Sequence, residues 1–176
     1  NHTYFVDGGL AAGDVHAGGS NGWRTVLVGG LGAGGKGLYA LDVTAASAAD
    51  EESAKNKILW ELTNATAGFT DLGYTYGDPV IVKLNTGKWA ALVGNGYNNS
   101  GSGHAVLYVI DIMTGALVKA LSTAAGTAAS PNGLSSPTPV DTNSDGRIDL
   151  VYAGDIDGNM WKFDLRDASI AAWTST

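Results

Sequence analysis

The 176-residue sequence contains no cysteine, only four prolines and only ten basic side chains. The absence of cysteine excludes a disulfide framework, a thiolate zinc site and cysteine catalysis within this stretch. Seventeen acidic residues give a net charge of −7. This argues against nucleic acid as a partner, because a phosphate binder presents a basic surface. No apolar run approaches the ~18 residues that a membrane span needs.

Apolar residues make up 44% of the chain, which is enough for a hydrophobic core, and glycine occurs 26 times. The glycines do not recur at every third position, which excludes a collagen-like chain. The chain opens at Asn1, and the strand-like segment Thr3–Val6 follows at once. This opening is typical of a processed chain or an excerpt, so the lack of a signal peptide says little about export.

One phrase recurs three times along the chain and predicts a pair of strands in each copy. A short apolar segment ends in glycine, and after a gap a second segment ends in aspartate and an aliphatic residue. We expect each aspartate, Asp42, Asp111 and Asp164, to accept hydrogen bonds from the turn that follows it. The paired segments are Thr25–Gly30 with Leu38–Val43, Ala90–Gly96 with Leu107–Ile112, and Asp149–Gly154 with Met160–Leu165.

Further strand-like segments flank these pairs, so that each unit holds about four short antiparallel strands, the content of a β-propeller blade. They are Ile58–Leu62, Asp78–Val82, Leu117–Leu121 and Ser136–Val140. The sequence therefore predicts an all-β, single-domain chain over residues 1–176, with blade units 1–70, 71–130 and 131–176. Since closed propellers have roughly 4 to 8 blades, we expect about three blades of a larger propeller, the first and last of them incomplete.

Three other features have simple structural interpretations. Residues 45–57 are polar; Glu51 and Lys55 have the spacing of a helical ion pair, but a solvated loop is favoured over a short helix. Residues 155–159 are interpreted as a hairpin turn rather than a metal site. The five tryptophans are expected to pack between blades, with ligand stacking by one of them as the alternative.

The most specific motif is the nine-residue segment 141–149. Oxygen-bearing side chains occupy positions 1, 3, 5 and 9, and Gly146 occupies position 6, as in an EF-hand loop. Ca²⁺ binds six to eight oxygens, and alternate residues of such a loop converge on one point. The predicted ligands are Asp141, Asn143, Asp145, the carbonyl of Arg147, and Asp149.

This loop departs from an EF-hand at its end and at its flanks. Position 12 is Tyr152 instead of a bidentate glutamate, and strand-like rather than helical segments flank the loop. Fewer charged ligands imply weaker binding, in the range of ~10⁻⁶ to 10⁻³ M. The alternative is a metal-free turn rich in Asp and Asn that joins two strands.

Five segments occur in a fixed order along the chain: Trp23–Gly30, Gly34–Thr44, Ile58–Glu61, Val151–Asp155 and Gly158–Leu165, with the calcium-type loop just before the last two. In these segments and their order the chain resembles the propeller domain of type IV pilus biogenesis proteins of the PilC/PilY kind. The resemblance extends over nearly the whole chain.

The resemblance implies a quinoprotein-like β-propeller in the C-terminal part of a large exported protein. Such proteins lie at the pilus tip, the cell surface or the outer membrane. Pilins or minor pilins and, for adhesive members, a host surface receptor are the implied partners. Calcium in the loop is implied to set the balance between pilus assembly and retraction, with no catalysis. The Arg-Gly-Asp tripeptide of some relatives does not occur here.

Two other classes of protein have similar patterns. Quinoprotein (PQQ-type) dehydrogenases share the phrases Leu38–Asp42 and Ile58–Trp60, but their calcium is held by scattered residues. Integrin-like repeats place calcium loops in several successive blades, whereas this chain has one such loop. Turnover with a quinone cofactor would identify the first class.

Overall fold

Three four-stranded antiparallel sheets make up a computed structural model, which describes residues 2–19, 22–45 and 47–176. In each sheet the strands follow one another in chain order. The first sheet contains β1 (Leu10–His16), β2 (Trp23–Gly30), β3 (Gly37–Asp42) and β4 (Ile58–Thr63). The second contains β5 (Val80–Lys83), β6 (Trp89–Gly94), β7 (Val106–Asp111) and β8 (Leu117–Ser122). The third contains β9 (Thr138–Val140), β10 (Leu150–Gly154), β11 (Met160–Asp164) and β12 (Thr174–Ser175).

This arrangement confirms the predicted all-β fold of a partial propeller. The sheets stack face to face in chain order, because β1 contacts β5 and β5 contacts β9. Consecutive strands are antiparallel. The turns after the first and third strands of each sheet therefore lie at one end, the lower end, and the turns after the second and fourth lie at the upper end.

Two hydrophobic cores fill the spaces between the three sheets. The pleat of β7 sends alternate side chains to opposite faces: Tyr108 and Ile110 enter the core shared with the first sheet, whereas Leu107 and Val109 enter the core shared with the third. All four side chains are at most 1% exposed. This explains why the central strand is apolar throughout, without the alternation of a half-buried strand.

The repeated aspartates cap the turns as predicted. Asp42 accepts a hydrogen bond from the amide of Thr44 at 2.9 Å. Asp111 accepts from the amides of Met113 and Thr114, both at 3.1 Å. The third aspartate, Asp164, accepts from the amide of Arg166 at 3.1 Å. In each of the three sheets, an aspartate at the end of the third strand thus holds the turn that follows this strand at the lower end.

The predicted strand at Thr3–Val6 is wrong, because these residues form no regular element and β1 begins at Leu10. The first and third sheets were expected to be incomplete, but each has four strands. The sequence does not predict β1, because only Val15 of this strand is fully buried and most of its other residues are small or polar. The two residues of β12 are too few to leave a pattern.

Residues 45–57 also differ from the favoured loop, since Glu51–Lys55 form a short helix, α1. The side chain of Asp50 caps its first turn by accepting from the amide of Ser53 at 2.8 Å. The predicted ion pair between Lys55 and Glu51 is present at 3.9 Å. Ala46, within this segment, lies outside the described residues.

The tryptophans confirm the packing prediction in part. Trp60 and Trp173 are buried, and Trp89 and Trp161 pack against the two cores. Trp23 belongs to neither core, because it is 57% exposed at the lower end. Its ring meets Trp89 edge to face, with centroids 6.4 Å apart.

Candidate metal centre

The candidate site is the lower-end loop of the third sheet, residues 141–149, which joins β9 to β10. The loop turns sharply at two residues with positive φ, Ser144 at 62° and Gly146 at 80°. Among the described residues, no heavy atom outside Gly146 and its two chain neighbours lies within 4 Å of the position that a Cβ on Gly146 would occupy. The backbone conformation, not a shortage of space, is therefore what favours glycine there.

Asp141, the first predicted ligand, lies within a ring of backbone amides. Its Oδ1 accepts from the amides of Asn143 at 3.2 Å and Ser144 at 2.7 Å. Its Oδ2 accepts from the amide of Gly146 at 2.8 Å. Three donors from the following turn thus fix the carboxylate of Asp141 on the concave side of the loop.

The side chains of the next two predicted ligands also accept hydrogen bonds from backbone amides of the loop. Asn143 Oδ1 accepts from the amide of Asp145 at 3.0 Å, and Asp145 Oδ1 accepts from the amide of Arg147 at 2.8 Å. Asn143 and Asp145 are exposed. The loop is therefore a series of overlapping side-chain-to-backbone turns.

Asp149, the last predicted ligand, differs because it is buried, with 4% of its surface exposed. Its Oδ2 accepts from the amide of Thr142 at 2.8 Å and also from the Thr142 hydroxyl. Its Oδ1 accepts from Asn85 Nδ2 at 3.3 Å. The Thr142 hydroxyl, followed by the Thr142 amide, lowers the pKa of Asp149 below its ordinary value. Asp149 therefore stays ionised and closes the base of the loop.

The predicted ligands suit a hard cation such as Ca²⁺, because all of them are oxygens, four from side chains and one from the backbone carbonyl of Arg147. No group of three or more acidic or histidine side chains converges on one point anywhere in residues 2–19, 22–45 and 47–176. An EF-hand often uses its ninth position through a water molecule, and such a role is compatible with the position of Asp149.

Sequence spacing did not reveal Thr142 and Asn85, which support the loop. Thr142 occupies a position between predicted ligands, and its side chain was not assigned a role. Asn85 comes from the β5–β6 turn of the preceding sheet, 64 residues before Asp149. A single sequence carries no signal for a contact of this kind.

Residues 155–159 at the upper end form the predicted hairpin turn, with Gly158 at a φ of 87°. The Asp155 carboxylate accepts from Asn132 at 2.8 Å, from Asn159 at 2.9 Å and from Trp161 at 2.7 Å. Partial burial opposes ionisation of Asp155, but the hydrogen bonds from Trp161, Asn159 and Asn132 outweigh it and lower its pKa to about 2. This carboxylate is engaged in holding the turn.

The part of the chain that the structure describes contains no helix long and apolar enough to cross a membrane.

Three stacked four-stranded sheets with a loop of this type define a section of a β-propeller. A family model described as the PilY1 beta-propeller domain matches residues 1–172. The chain therefore belongs to the PilY1 β-propeller domain family of type IV pilus biogenesis factors.

Named relatives agree with this assignment. The type IV pilus biogenesis factor PilY1 of Pseudomonas aeruginosa is 46% identical over 164 residues, which are 93% of this chain and 13% of that protein. A PilY1 homolog of Xylella fastidiosa is 41% identical over 180 residues, covering 98% of this chain and 12% of the homolog. The chain thus spans only a small part of these relatives.

The crystal structure of a relative has the same fold. The crystal structure of the Pseudomonas aeruginosa PilY1 C-terminal domain superposes with a TM-score of 0.82 at 39% identity. The match covers 97% of this chain and 35% of that chain. The three sheets therefore correspond to about a third of that larger chain.

Proposed function

We propose that the chain is a calcium-binding section of the propeller of a type IV pilus biogenesis and adhesion protein. In this proposal the protein is exported to the pilus tip, the cell surface or the outer membrane and acts without catalysis. Pilins or minor pilins are its partners, and a host surface receptor is a further partner in adhesion. The names of the relatives, all type IV pilus biogenesis factors or their homologs, support the pilus role.

The observation that carries the calcium assignment is the arrangement of oxygens in the loop. Asp141 is held by the amides of Ser144 and Gly146, while the side chains of Asn143 and Asp145 follow at alternate positions. Both Asn143 and Asp145 are exposed, so the loop is accessible to an ion from solvent. A bound Ca²⁺ supplies two positive charges that offset the repulsion between the carboxylates.

The loop residues convert ion binding into a change in stability. Asp141 and Asp145 belong to the same loop, and in this proposal their like charges destabilise the loop in the absence of a cation. A ligand that binds only the folded loop stabilises it by mass action. The loop is therefore ordered at high calcium and looser at low calcium, and the neighbouring lower-end surface changes with it.

We further propose that this change sets the balance between pilus assembly and retraction, with the lower end as the surface that engages a pilin or minor pilin. The test uses cells that express the full parent protein, with Asp145→Ala in the loop. Asp157→Ala is the matched control, because Asp157 is an exposed carboxylate in the upper-end turn of the same sheet. Sheared surface pilin is quantified at micromolar and at millimolar free calcium, and an immunoblot confirms equal amounts of each variant.

We expect surface pilin to change with calcium in wild-type and Asp157→Ala cells and to become insensitive to calcium in Asp145→Ala cells. The same calcium response in Asp145→Ala cells as in the wild type would contradict the regulatory role. Loss of pili in both variants at every calcium concentration would assign the effect to folding of the propeller and remove the support for regulation by this loop.

A further inference from the structure

We propose that Asn85, which belongs to the second sheet, is a positioning residue for the calcium loop of the third sheet. Calcium affinity then depends on how these two sheets pack against each other. This inference rests on the calcium site proposed above. It concerns a residue outside the loop that coordinates no ion itself.

The side-chain amide of Asn85 reaches across the space between the sheets to three acceptors. Its Nδ2 lies 2.9 Å from the carbonyl oxygen of Ile148, 3.3 Å from Asp149 Oδ1 and 3.4 Å from the carbonyl oxygen of Leu165. The first two acceptors lie in the last two residues of the loop. Asn85 therefore bonds both the backbone and the carboxylate at the point where the loop enters β10.

A return contact comes from the loop to the same residue. Arg147 Nη1 donates to the backbone carbonyl of Asn85 at 3.2 Å. The Arg147 carbonyl is a predicted ligand, so the two predicted ligands that follow Gly146 each belong to a residue bonded to Asn85. The other predicted ligands, Asp141, Asn143 and Asp145, are held by contacts within the loop itself.

Backbone contacts fix the register of Asn85 against the loop. Leu84 forms a parallel bridge with Ile148, and the amide of Ile148 donates to the carbonyl of Lys83 at 2.9 Å. Leu84 is fully buried and Ile148 is 8% exposed. The turn of the second sheet thus serves as a rigid support for the base of the loop.

Groups that orient metal ligands affect affinity strongly, and their removal typically weakens metal binding 10- to 100-fold. Coupling of this kind is reciprocal: if Asn85 favours the ion-binding form of the loop, a bound ion also strengthens the contact between the second and third sheets. The calcium loop therefore acts as a clamp between two blades and not only as a local turn.

A merely structural role for Asn85 predicts lower stability without a change in affinity, and a matched control separates the two roles. Asn132 makes a similar contact at the upper end, where its Nδ2 donates to Asp155 Oδ2 of the third sheet at 2.8 Å. Asn132→Ala removes an amide-to-carboxylate contact with the same sheet, far along the strands from the loop. It is expected to lower stability and leave calcium affinity within twofold of the wild type.

The test measures calcium dissociation constants by isothermal titration calorimetry on the complete propeller of the parent protein, carrying Asn85→Ala, Asn132→Ala or no substitution. Near-UV circular dichroism confirms that each variant is folded. We expect Kd to rise about tenfold in Asn85→Ala. Hydrogen exchange gives a second measurement: calcium should slow exchange in the turn between β5 and β6 of the wild type, and this effect should be lost in Asn85→Ala.

Each possible result supports or overturns the positioning role of Asn85. An Asn85→Ala variant with a Kd within twofold of the wild type, or an equal loss of affinity in Asn132→Ala, overturns the positioning role while leaving the calcium site intact. A wild-type propeller that binds no calcium overturns the site and this inference together. If Asn85→Ala does not fold, Asn85→Ser replaces it, because serine also lacks the Nδ2 donor but keeps a polar side chain at this turn and leaves the charge of the loop unchanged. Its Kd is then expected to rise about threefold, and an unchanged Kd overturns the inference.

Discussion

The indole Nε1 of Trp161 donates a 2.7 Å hydrogen bond to the carboxylate of Asp155, across the upper-end turn of the third sheet. The same carboxylate accepts from Asn132, which lies in the connection from the second sheet. One aspartate therefore closes a hairpin and joins it to the preceding blade. We therefore expect this pair to contribute to the stability of the propeller.

Trp161→Phe should lower the free energy of unfolding by about 1.5–3 kcal/mol, the usual contribution of a hydrogen bond to a charged group. The phenyl ring keeps most of the packing against the core but removes the donor. Urea denaturation measures the change. Trp23→Phe is the control, because Trp23 is 57% exposed, and it should cost less than about 0.5 kcal/mol. Equal costs for both substitutions would contradict the importance of the Asp155 contact.

The stability contributed by Asp155 should disappear in acid. Its folded pKa of about 2 lies below the unfolded value of about 3.9, so the contribution is complete above pH ~5 and is lost as the pH falls from about 4 to 2. The difference in unfolding free energy between wild type and Asp155→Asn should therefore shrink over this interval. Asp157→Asn is the control, with a difference below about 0.5 kcal/mol at every pH. A difference for Asp155→Asn that stays constant down to pH 2 would refute the assignment.

Two glycines with similar backbones should respond differently to alanine. Gly115 has a φ of 71°, and an added Cβ would lie 2.7 Å from the ring of Trp60. Gly87 has a φ of 84°, and in the part of the chain that the structure describes no heavy atom other than those of Gly87 and its chain neighbours lies within 4 Å of its Cβ position. Gly87→Ala should cost about 1–2 kcal/mol for the left-handed backbone. Gly115→Ala should cost about 1–3 kcal/mol more for the steric clash. Thermal unfolding measures both, and equal costs would show that Trp60 moves aside freely.

Asn95 should be among the most sensitive polar residues of the second sheet. It is fully buried; its Nδ2 donates to the carbonyls of Asp71 at 2.8 Å and His104 at 2.9 Å. Its Oδ1 accepts from the amides of Val106 and Leu134, both at 2.9 Å. Asn95→Ala leaves these buried backbone groups without hydrogen-bond partners, and each unsatisfied group lowers the free energy of unfolding by about 1–3 kcal/mol.

We therefore expect Asn95→Ala to destabilise the propeller by at least about 3 kcal/mol in urea denaturation. Asn56→Ala, at the exposed C-terminal end of α1, is the control and should change stability by less than about 0.5 kcal/mol. A small effect of Asn95→Ala would show that water replaces its side chain in these contacts.

The repeated phrases made most of the fold predictable from the sequence. Strands such as β7 are apolar along their whole length, and Asp111 marks where the strand ends, because both faces of a blade are buried. The exceptions have physical causes. β1 contains small and polar residues around the single buried Val15, so it lacks the apolar pattern of a strand. The helix α1 depends on the capping of its first turn by Asp50, and the polar sequence around it gave no clear indication of this cap.

The candidate site was predictable in its loop but not in its support. The alternation of Asp141, Asn143 and Asp145 follows from local chain geometry, which a single sequence contains. The contact between Asn85 and Asp149 depends on how two sheets pack, and no local pattern encodes a pairing over 64 residues. The loop could be found by spacing, whereas its support required the three-dimensional structure.

Calcium binding by the loop is the central claim, and a calorimetric calcium titration of the complete propeller and its Asp145→Ala variant tests it most directly, with magnesium as the control ion. We expect one site per propeller section of this type, with a dissociation constant between about 10⁻⁶ and 10⁻³ M. Binding should be lost in Asp145→Ala, and magnesium should bind more weakly, because it dehydrates reluctantly and demands near-octahedral geometry. No heat of binding at millimolar calcium, or equal binding by the Asp145→Ala variant, would contradict the claim and identify the loop as a metal-free turn.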